Sequence, residues 1–270
     1  MTSSFHDFEQ AGWQRAARHY PDAFGGLTAQ AIGPLLDAVG AGPGVRLLDV
    51  ATGPGYVAGA AAERGASVTG VDFSTAMIAE ARRREPGVDF RDGDAEALPF
   101  PDQSFDAVVM SFGLLHLARP EAALAEARRV LVPGGRSAFT VWAMPDEAVA
   151  FGIALRAIET HGRLDVPLPI GPPFFHFSDP EECRRSLTAA GLVRVTVRHV
   201  PLLWRLSSPD AVFDALSRGA VRTAALLEAQ SPEALAAIQS TIRAAVASYA
   251  RGAAIELPMP AVLAAAARDR

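Results

Sequence analysis

The basic residues of this chain are all arginines, because the sequence contains no lysine. Its 25 basic residues are outnumbered by 30 acidic residues, which gives a formal net charge of -5 at pH 7. Proteins that bind nucleic acid need a concentrated positive surface, and this charge balance does not supply one. The many Ala, Gly and Pro residues indicate that the arginines reflect a bias in composition. We therefore expect no nucleic-acid partner.

Cysteine and long apolar runs are also scarce. Cys183 is the single cysteine, so the chain cannot form an internal disulfide. The first residues, MTSSFHDFEQ, lack the basic stretch and apolar core of a signal peptide. No uninterrupted apolar run reaches the roughly 18 residues that a membrane-spanning helix needs. These absences predict a cytoplasmic protein without a membrane span.

Short apolar strands alternate with helical patterns through the first half of the chain. At 270 residues, half of them hydrophobic, the chain can bury one large domain or a domain with a cap. The alternation predicts βαβ units and hence an α/β fold with a doubly wound, mostly parallel sheet. The predicted strands are residues 45–51, 67–71, 88–91, 105–111 and 136–142, and the predicted helices between the first three are residues 56–64 and 75–84.

The second half carries weaker signals. A loop rich in Pro, Gly and Phe, residues 166–177, is interpreted as a lid or wall of a site. Ser178 and Glu181 have the spacing of a capping box at a helix start. Residues 192–204 alternate polar and apolar side chains like a strand.

Two proline-containing starts, at residues 207–210 and 231–233, predict Ala- and Leu-rich helices that form an inserted cap. This gives a division of the chain into three parts. They are N-terminal helices (residues 1–44), an α/β domain (residues 45–206 and 252–270) and a helical cap (residues 207–251).

A glycine turn follows the first predicted strand, in the stretch LLDVATGPGYVA at residues 47–58. Gly53 and Gly55 allow a tight turn and a close approach to a ligand. The helix from Tyr56 onward directs its first N–H groups at the same place. A nucleotide-like ligand is therefore expected on this turn, although dehydrogenases and flavoproteins share this feature.

Three acidic residues narrow the identity of that ligand. Asp49 lies at the end of the first strand, where it can fix loop N–H groups or face a cationic ligand such as a sulfonium amino acid. Asp72 ends the second strand, from which a carboxylate accepts both ribose hydroxyls. Asp94 follows the third strand and can accept the adenine amino group, while Ala95 offers its backbone N–H. Taken singly, each acid is also typical of a turn or a helix cap.

Five motifs occur in order: LDVATGPG, VDFS, DGDAEALPF, FDAVVMSFGLLHL and LVPGGR. Together they resemble the class I S-adenosylmethionine-dependent methyltransferases, in particular the type 11 group that contains the ubiquinone and menaquinone C-methyltransferases. The resemblance covers roughly residues 20–142. It implies a seven-stranded Rossmann-like sheet whose last strand, residues 262–267, runs antiparallel, although helix propensity favours a helix there.

The resemblance also implies roles for individual residues, with S-adenosylmethionine as cofactor and S-adenosylhomocysteine as product. The methionine part contacts the glycine turn, the adenine lies between two apolar side chains, and two residues after the fourth strand close over the cofactor. The implied cofactor-binding residues are Tyr20, Ala51, Thr52, Gly53, Gly55, Asp72, Phe73, Met77, Asp94, Ala95, Ser111 and Phe112.

His116, after the fourth strand, is the first candidate for a catalytic proton acceptor, because that loop borders the cofactor in relatives. The alternative is a histidine that bonds a loop carbonyl. His176 is the second candidate. No group of His and carboxylates has metal-ligand spacing, so no metal is expected. Apolar pocket walls are expected among Phe174, Phe175, Phe177, Trp142 and Trp204, with core packing as the alternative.

The predicted function is methyl transfer to a small, largely apolar metabolite through an oxygen or carbon atom. We expect a monomer or a homodimer. One alternative is a cofactor-binding regulatory protein without transferase activity. Another is a nicotinamide-dependent oxidoreductase, since Gly53, Gly55 and Ala58 approximate a dinucleotide-binding pattern, but Asp49 and the loop at residues 92–100 favour the methyltransferase.

Overall fold

The computed structural model describes residues 4–270. Helical segments precede the first strand. The first helix begins at a capping box, in which the Ser4 hydroxyl accepts from the Asp7 backbone N–H and the Asp7 carboxylate accepts from the Ser4 backbone N–H. Residues 1–3 of the predicted N-terminal region lie outside the described residues. The segments are α1 (Phe5–Ala16), a π-helical turn (Pro21–Gly25), α2 (Gly26–Thr28), a 3-10 turn (Ala29–Ala31) and α3 (Ile32–Val39).

The central part of the chain alternates strands and helices. Short, mainly apolar segments form two of the buried strands, residues 46–50 and 105–111. The elements are β1 (Arg46–Val50), α4 (Tyr56–Glu63), β2 (Ser67–Asp72), α5 (Thr75–Arg84), β3 (Asp89–Asp92), β4 (Phe105–Ser111), a 3-10 turn (Leu114–His116), α6 (Pro120–Val130) and β5 (Leu131–Trp142).

The remaining part contains more helix and a second, smaller sheet. Its elements are α7 (Val149–His161), a 3-10 turn (His176–Ser178), α8 (Pro180–Ala189), β6 (Leu192–Val200), β7 (Leu203–Leu206), α9 (Asp210–Arg218), α10 (Arg222–Glu228), α11 (Pro232–Ala247), β8 (Ala250–Arg251), β9 (Ala254–Pro258) and β10 (Ala261–Arg268).

The main sheet has seven strands in the order β3-β2-β1-β4-β5-β10-β6. Strands β1 to β5 pair in parallel, and β10 runs antiparallel between β5 and β6. The predicted α/β, doubly wound, seven-stranded sheet with an antiparallel last strand is confirmed. Its parallel strands end at one edge, which is where ligands bind in open α/β sheets.

Strand β10 shows how the sheet overrides local propensity. Its Ala-rich segment favours a helix by composition, yet β5 and β6 together satisfy its backbone from both sides. Residues 261–267 are almost fully buried, and their small side chains allow helices to pack closely on both faces. The strand predicted for residues 262–267 is therefore confirmed.

The start of α8 differs from the sequence prediction. The N-cap is Asp179, whose side chain accepts from the Glu181 backbone N–H at 2.9 Å. The Ser178 hydroxyl instead donates to the Trp142 carbonyl at 2.7 Å. The capping box predicted for Ser178 is wrong, because a carbonyl at the end of β5 competes for that hydroxyl.

The segment predicted as one strand at residues 192–204 is divided between β6 and β7, which belong to different sheets. Strand β7 pairs with β9, and β9 with β8, in a small antiparallel sheet that the sequence patterns did not predict. The helices α9, α10 and α11 lie along the chain between the strands of this sheet. Their assignment as a separate cap at residues 207–251 stays a prediction.

Candidate functional site

The turn after β1 needs unusual backbone conformations. Ala51, Gly53 and Gly55 have positive φ values of 52°, 53° and 83°. A Cβ atom at Gly55 would lie 3.0 Å from the Phe90 ring and 3.2 Å from the Ala81 Cβ. Glycine is therefore required there for its size and for its conformation. The turn positions the N-terminus of α4 at the carboxyl edge of the sheet.

Asp72, at the end of β2, is almost fully buried beside this turn. Its two carboxylate oxygens accept from the backbone N–H groups of Gly53 and Ser74, each at 2.9 Å. Burial raises the pKa of Asp72 to about 6, although these two hydrogen bonds act to lower it. Asp72 thus fixes the glycine turn while facing the cleft.

Asp49 is a second buried carboxylate, in the last turn of β1, and its exposed fraction is 1%. One oxygen accepts from the Thr52 hydroxyl at 2.6 Å. The other oxygen forms no hydrogen bond of normal geometry within the described part of the chain, although a weaker contact of the carboxylate with the Ala58 backbone N–H acts to lower its pKa. Burial raises the pKa of Asp49 to about 7, against the opposing effect of Thr52. A ligand cation would therefore stabilise the ionised form of this group.

Asp94, the predicted partner of the adenine amino group, already has protein neighbours. One oxygen accepts from the Glu96 backbone N–H at 2.8 Å, and the other lies 3.3 Å from His6 Nε2 on α1. The His6 ring also contacts Phe73 edge-on, with 5.6 Å between ring centroids. Helix α1 therefore covers this side of the site.

These residues meet in one cleft with about 850 Å³ of space between its walls. Every predicted cofactor residue except Gly55 lines this cleft. Gly55 is the N-cap residue of α4. Their roles in cofactor binding stay predictions. The cleft also includes residues for which no role was predicted: Trp13, Thr28, Ile32, Pro54, Tyr56, Val57, Gly93, Gly113 and Leu117.

Three of those additional residues, Trp13, Thr28 and Ile32, come from the N-terminal helices. Trp13 lies on α1, and Thr28 shares a hydrogen bond with the Tyr20 hydroxyl, with 3.2 Å between oxygens. Burial raises the pKa of Tyr20 to about 12, so its hydroxyl stays protonated at neutral pH. The helical periodicity of residues 5–39 could have indicated this role, because an apolar helix face must pack against another part of the protein.

His116 lies in the 3-10 turn after β4 and lines the cleft. Its Nδ1 is 3.0 Å from the Glu9 carboxylate, so its partner is an acid and not the loop carbonyl of the alternative interpretation. The imidazole is held edge-on by Trp13 and Phe174, at centroid distances of 4.8 and 5.8 Å. Sequence patterns did not single out Glu9, which is fully buried.

A second cavity, with about 470 Å³ of space, adjoins the cleft. We call it the aromatic chamber; it shares Trp13, Tyr20, Thr28, Phe112 and His116 with the cleft. His116 therefore lies at the junction of the two cavities. The other walls of the aromatic chamber are Phe24, Trp142, Phe151, Phe174, Gly219, Ala220, Val221, Arg222 and Thr223.

The remaining candidates are divided between the aromatic chamber and other parts of the fold. His176 pairs with Glu182, with 3.2 Å between Nε2 and the carboxylate, and lines neither the cleft nor the aromatic chamber. Of the five aromatic residues proposed as pocket walls, Trp142 and Phe174 line the aromatic chamber. Phe175, Phe177 and Trp204 pack in the hydrophobic core.

Residues 4–270 offer neither a metal-binding cluster nor a membrane-spanning helix. No group of three or more His, Cys, Asp or Glu side chains is arranged to hold a metal ion. Nor does this part of the chain contain a helix long and apolar enough to cross a membrane.

Comparison with known proteins agrees with this geometry. Residues 48–139 match the methyltransferase domain family. A demethylmenaquinone methyltransferase from Paenarthrobacter aurescens is 41% identical over 189 residues, which cover 65% of this chain and 75% of that protein. A demethylmenaquinone methyltransferase from Renibacterium salmoninarum is 52% identical over 102 residues, but these cover only 38% of this chain and 43% of that protein. The chain thus spans less than half the length of some of the relatives that it matches.

Solved structures of low sequence identity share the fold. The phosphoethanolamine N-methyltransferase 2 of Haemonchus contortus in complex with S-adenosyl-L-methionine has a TM-score of 0.62 and 20% identity; the match covers all of this chain and 61% of that one. A possible histamine N-methyltransferase of Thermotoga maritima has a TM-score of 0.55 and 21% identity, with 97% of this chain and all of that one covered. Together with the extended match to the Paenarthrobacter protein, this shows that the chain belongs to the class I S-adenosylmethionine-dependent methyltransferases, in the type 11 group.

Proposed function

We propose that this protein transfers a methyl group from S-adenosylmethionine to an oxygen or carbon atom of a small, largely apolar metabolite. The observation that carries this proposal is the junction of two cavities at His116. One cavity contains the predicted cofactor residues and buried carboxylates, and the other has aromatic walls. A donor and an acceptor bound in these two places would meet beside a titratable side chain.

The negative charge of the cleft is complementary to the positive charges of the cofactor. The unpaired oxygen of Asp49 is a buried acceptor without a donor in the described chain, and the sulfonium and ammonium groups of S-adenosylmethionine are cations. Asp72 supports the turn and supplies a carboxylate for the ribose hydroxyls. When bound, S-adenosylmethionine supplies a methyl group that its positive sulfur has already activated.

The aromatic chamber suits a flat, apolar acceptor. Trp142, Phe151 and Phe174 form apolar walls, which favour a ring system over a charged or strongly hydrated molecule. The relatives named above act on demethylmenaquinone by name, and a quinol head group is a ring of this kind. We therefore include phenols and quinols as the first acceptors to test, with polyketides and fatty-acid-like metabolites next.

The residues of the chain would contribute positioning, exclusion of water and a proton acceptor. The proton of an acceptor O–H, or of an acidic C–H, passes to His116 Nε2. The electron pair left on the acceptor would then be available for the new bond to the methyl carbon, and the electron pair of the broken bond would remain with the sulfur of the product. Tyr20 stays protonated at neutral pH because burial raises its pKa to about 12, so it does not compete as a base.

Several further parts of the proposal concern the whole molecule. Residues 207–251 would act as a cap over the site, supported by Val221, Arg222 and Thr223 in the wall of the aromatic chamber. We further propose that the protein acts in the cytoplasm, where the free thiol of Cys183 would stay reduced, and that it is a monomer or a homodimer. A binding protein without transferase activity is the less favoured alternative, because the aromatic chamber is not filled by side chains.

Methyl transfer from radiolabelled S-adenosylmethionine tests this function directly. We expect label in small-molecule extracts and in supplied quinols, and not in total RNA or protein. His116→Ala should lower turnover about 10²-fold with little change in cofactor affinity, because only proton removal is affected. His176→Ala is the matched control, since His176 lines neither cavity. Label found only in the macromolecular fractions would contradict the proposal.

A further inference from the structure

Glu9 occupies an unusual position for a carboxylate. It lies in the middle of α1, and its exposed fraction is 0%, on the same buried side of the helix as Phe5, Gly12 and Ala16. A buried carboxylate is costly unless charged or hydrogen-bonding partners compensate for the lost water. The reason for Glu9 must therefore be found in its partners.

Glu9 has two partners, one on each oxygen. His116 Nδ1 lies 3.0 Å from Oε2, and Arg222 Nε lies 2.7 Å from Oε1. Arg222 is fixed in turn, because its two terminal nitrogens donate to the carbonyls of Leu115 and Pro172, each at 2.7 Å. Its guanidinium also lies 4.4 Å from the centre of the Phe5 ring.

These contacts hold Glu9 in its ionised form. Burial acts to raise the pKa of Glu9, but attraction to His116 and Arg222, with their hydrogen bonds, outweighs it and leaves the pKa below its ordinary value. An ionised carboxylate can only accept hydrogen bonds. His116 must therefore carry a proton on Nδ1, and in the neutral imidazole the lone pair lies on Nε2.

The other side of the imidazole is available to a ligand. No hydrogen bond within residues 4–270 uses Nε2, and the ring lines both the cleft and the aromatic chamber. Edge-on contacts with Trp13 and Phe174 restrict the rotation of the ring. A fixed ring with a free Nε2 is the arrangement that a proton acceptor requires.

We propose that Glu9 is a positioning residue for the reaction: with Arg222 behind it, Glu9 fixes the ring and tautomer of His116 so that Nε2 accepts the proton of the methyl acceptor. This inference deepens the proposed function and rests on it. Glu9 itself does not reach either cavity, so its effect on the reaction passes through His116.

A Glu9→Gln variant tests this role because its carboxamide has one accepting and one donating end. Arg222 can only donate, so the amide oxygen should turn to Arg222 and the amide nitrogen to His116. Nδ1 must then accept a hydrogen bond, which moves the proton to Nε2. The variant keeps the size of the side chain, but His116 Nε2 then carries a proton and cannot accept one. A carboxylate-to-amide change has this effect in other histidine dyads.

Glu182→Gln is the matched control. Glu182 also lies between a histidine and an arginine, His176 and Arg185, but this group lines neither cavity. If turnover falls only because a buried or bridging charge is lost, it should fall in both variants. A change that acts through the tautomer of His116 should affect Glu9→Gln alone.

Nitrogen-15 spectra of the imidazoles measure the tautomer without any activity, with His116→Ala used to assign the signals. We expect neutral His116 to carry its proton on Nδ1 in the wild type and on Nε2 in Glu9→Gln. Turnover should fall by about 10²-fold or more in Glu9→Gln, while acceptor KM and cofactor Kd are maintained and Glu182→Gln behaves as the wild type.

Two results would overturn the inference. One is a wild-type His116 with its proton on Nε2, a measurement that does not need the variant to fold. The other is a folded Glu9→Gln with unchanged tautomer or with wild-type turnover. If the wild type transfers no methyl group at all, the proposed function fails, while the spectra still decide whether Glu9 fixes the tautomer.

Discussion

Asp49 and Glu9 are both buried carboxylates near the same cleft, but they differ in their partners. Glu9 has a histidine and an arginine, and its pKa lies below the ordinary value. Asp49 has a single hydroxyl and one oxygen without a partner, and burial raises its pKa to about 7. A carboxylate with internal cations serves the structure of the site. A carboxylate without them is suited to a cationic ligand.

The difference also gives the two groups opposite effects on how the stability of the ligand-free protein depends on pH. Glu9 contributes stability that is present above its ordinary pKa and is lost as pH falls through its folded pKa. The pKa of Asp49 rises from 3.8 to about 7 on folding, so its ionisation lowers the free energy of unfolding as pH rises between these values. The first group stabilises the fold at neutral pH, whereas the second costs stability there.

The largest predicted effect is the loss of stability that follows the removal of Arg222, a cationic partner of Glu9. Arg222→Met leaves Glu9 buried with one cationic partner fewer and releases the carbonyls of Leu115 and Pro172. We expect the free energy of unfolding to fall by about 3 to 5 kcal/mol, as measured by urea denaturation. Arg205→Met is the control: its partner is Glu256, the pair is more exposed, and a loss of at most about 1 kcal/mol is expected.

The second prediction concerns Asp72, which lies buried with Asp49 near the carboxyl ends of the parallel strands β1 and β2. Asp72→Ala should weaken S-adenosylhomocysteine binding by about 2 to 3 kcal/mol, because a charge-assisted pair of hydrogen bonds is lost. Since Asp72 also holds the Gly53 backbone, circular dichroism must show that the variant is folded. Unchanged affinity in a folded variant would mean that the ribose does not contact this residue.

The smallest predicted effect is on the pH dependence of cofactor affinity. Ionised Asp49 should favour the sulfonium of S-adenosylmethionine over the neutral sulfur of S-adenosylhomocysteine. The preference for S-adenosylmethionine should therefore increase up to about tenfold between about pH 6 and about pH 8, as Asp49 loses its proton.

Neighbouring groups require a control for that experiment. Asp72 is close enough to raise the pKa of Asp49 and has its own pKa raised to about 6. Both ligands carry amino and carboxylate groups, so the same ratio must be measured in a variant that lacks the Asp49 charge. In Asp49→Asn the ratio should become independent of pH. A wild-type ratio that does not change with pH would assign the sulfonium to another part of the cleft.

The parts of the structure that were predictable have local causes. The strand, glycine turn and helix at residues 46–63 follow from an apolar run, a pair of glycines and an Ala-rich segment. Asp72 and Asp94 follow strands whose carboxyl ends meet at one edge of a parallel sheet. Strand β10 was predictable only through the resemblance, because its alanines favour a helix until two neighbouring strands supply hydrogen-bond partners.

The parts that were missed depend on contacts between distant residues. Glu9 and His116 are 107 positions apart, and a Glu in an amphipathic helix gives no local sign that it will be buried. The small sheet of β7, β8 and β9 joins segments on either side of three helices, which periodicity within one segment cannot detect. The cap of α8 moved to Asp179 because a distant carbonyl, that of Trp142, binds Ser178.

Titration calorimetry of the wild-type protein with S-adenosylhomocysteine and with NADH tests the central claim most directly. Our proposal is that the cleft after β1 and β2 holds the methyl donor through Asp49, Asp72 and the glycine turn. We therefore predict one S-adenosylhomocysteine site per chain, with a Kd in the micromolar range (about -8 kcal/mol), and no binding of NADH. Binding of NADH without binding of S-adenosylhomocysteine would contradict this account.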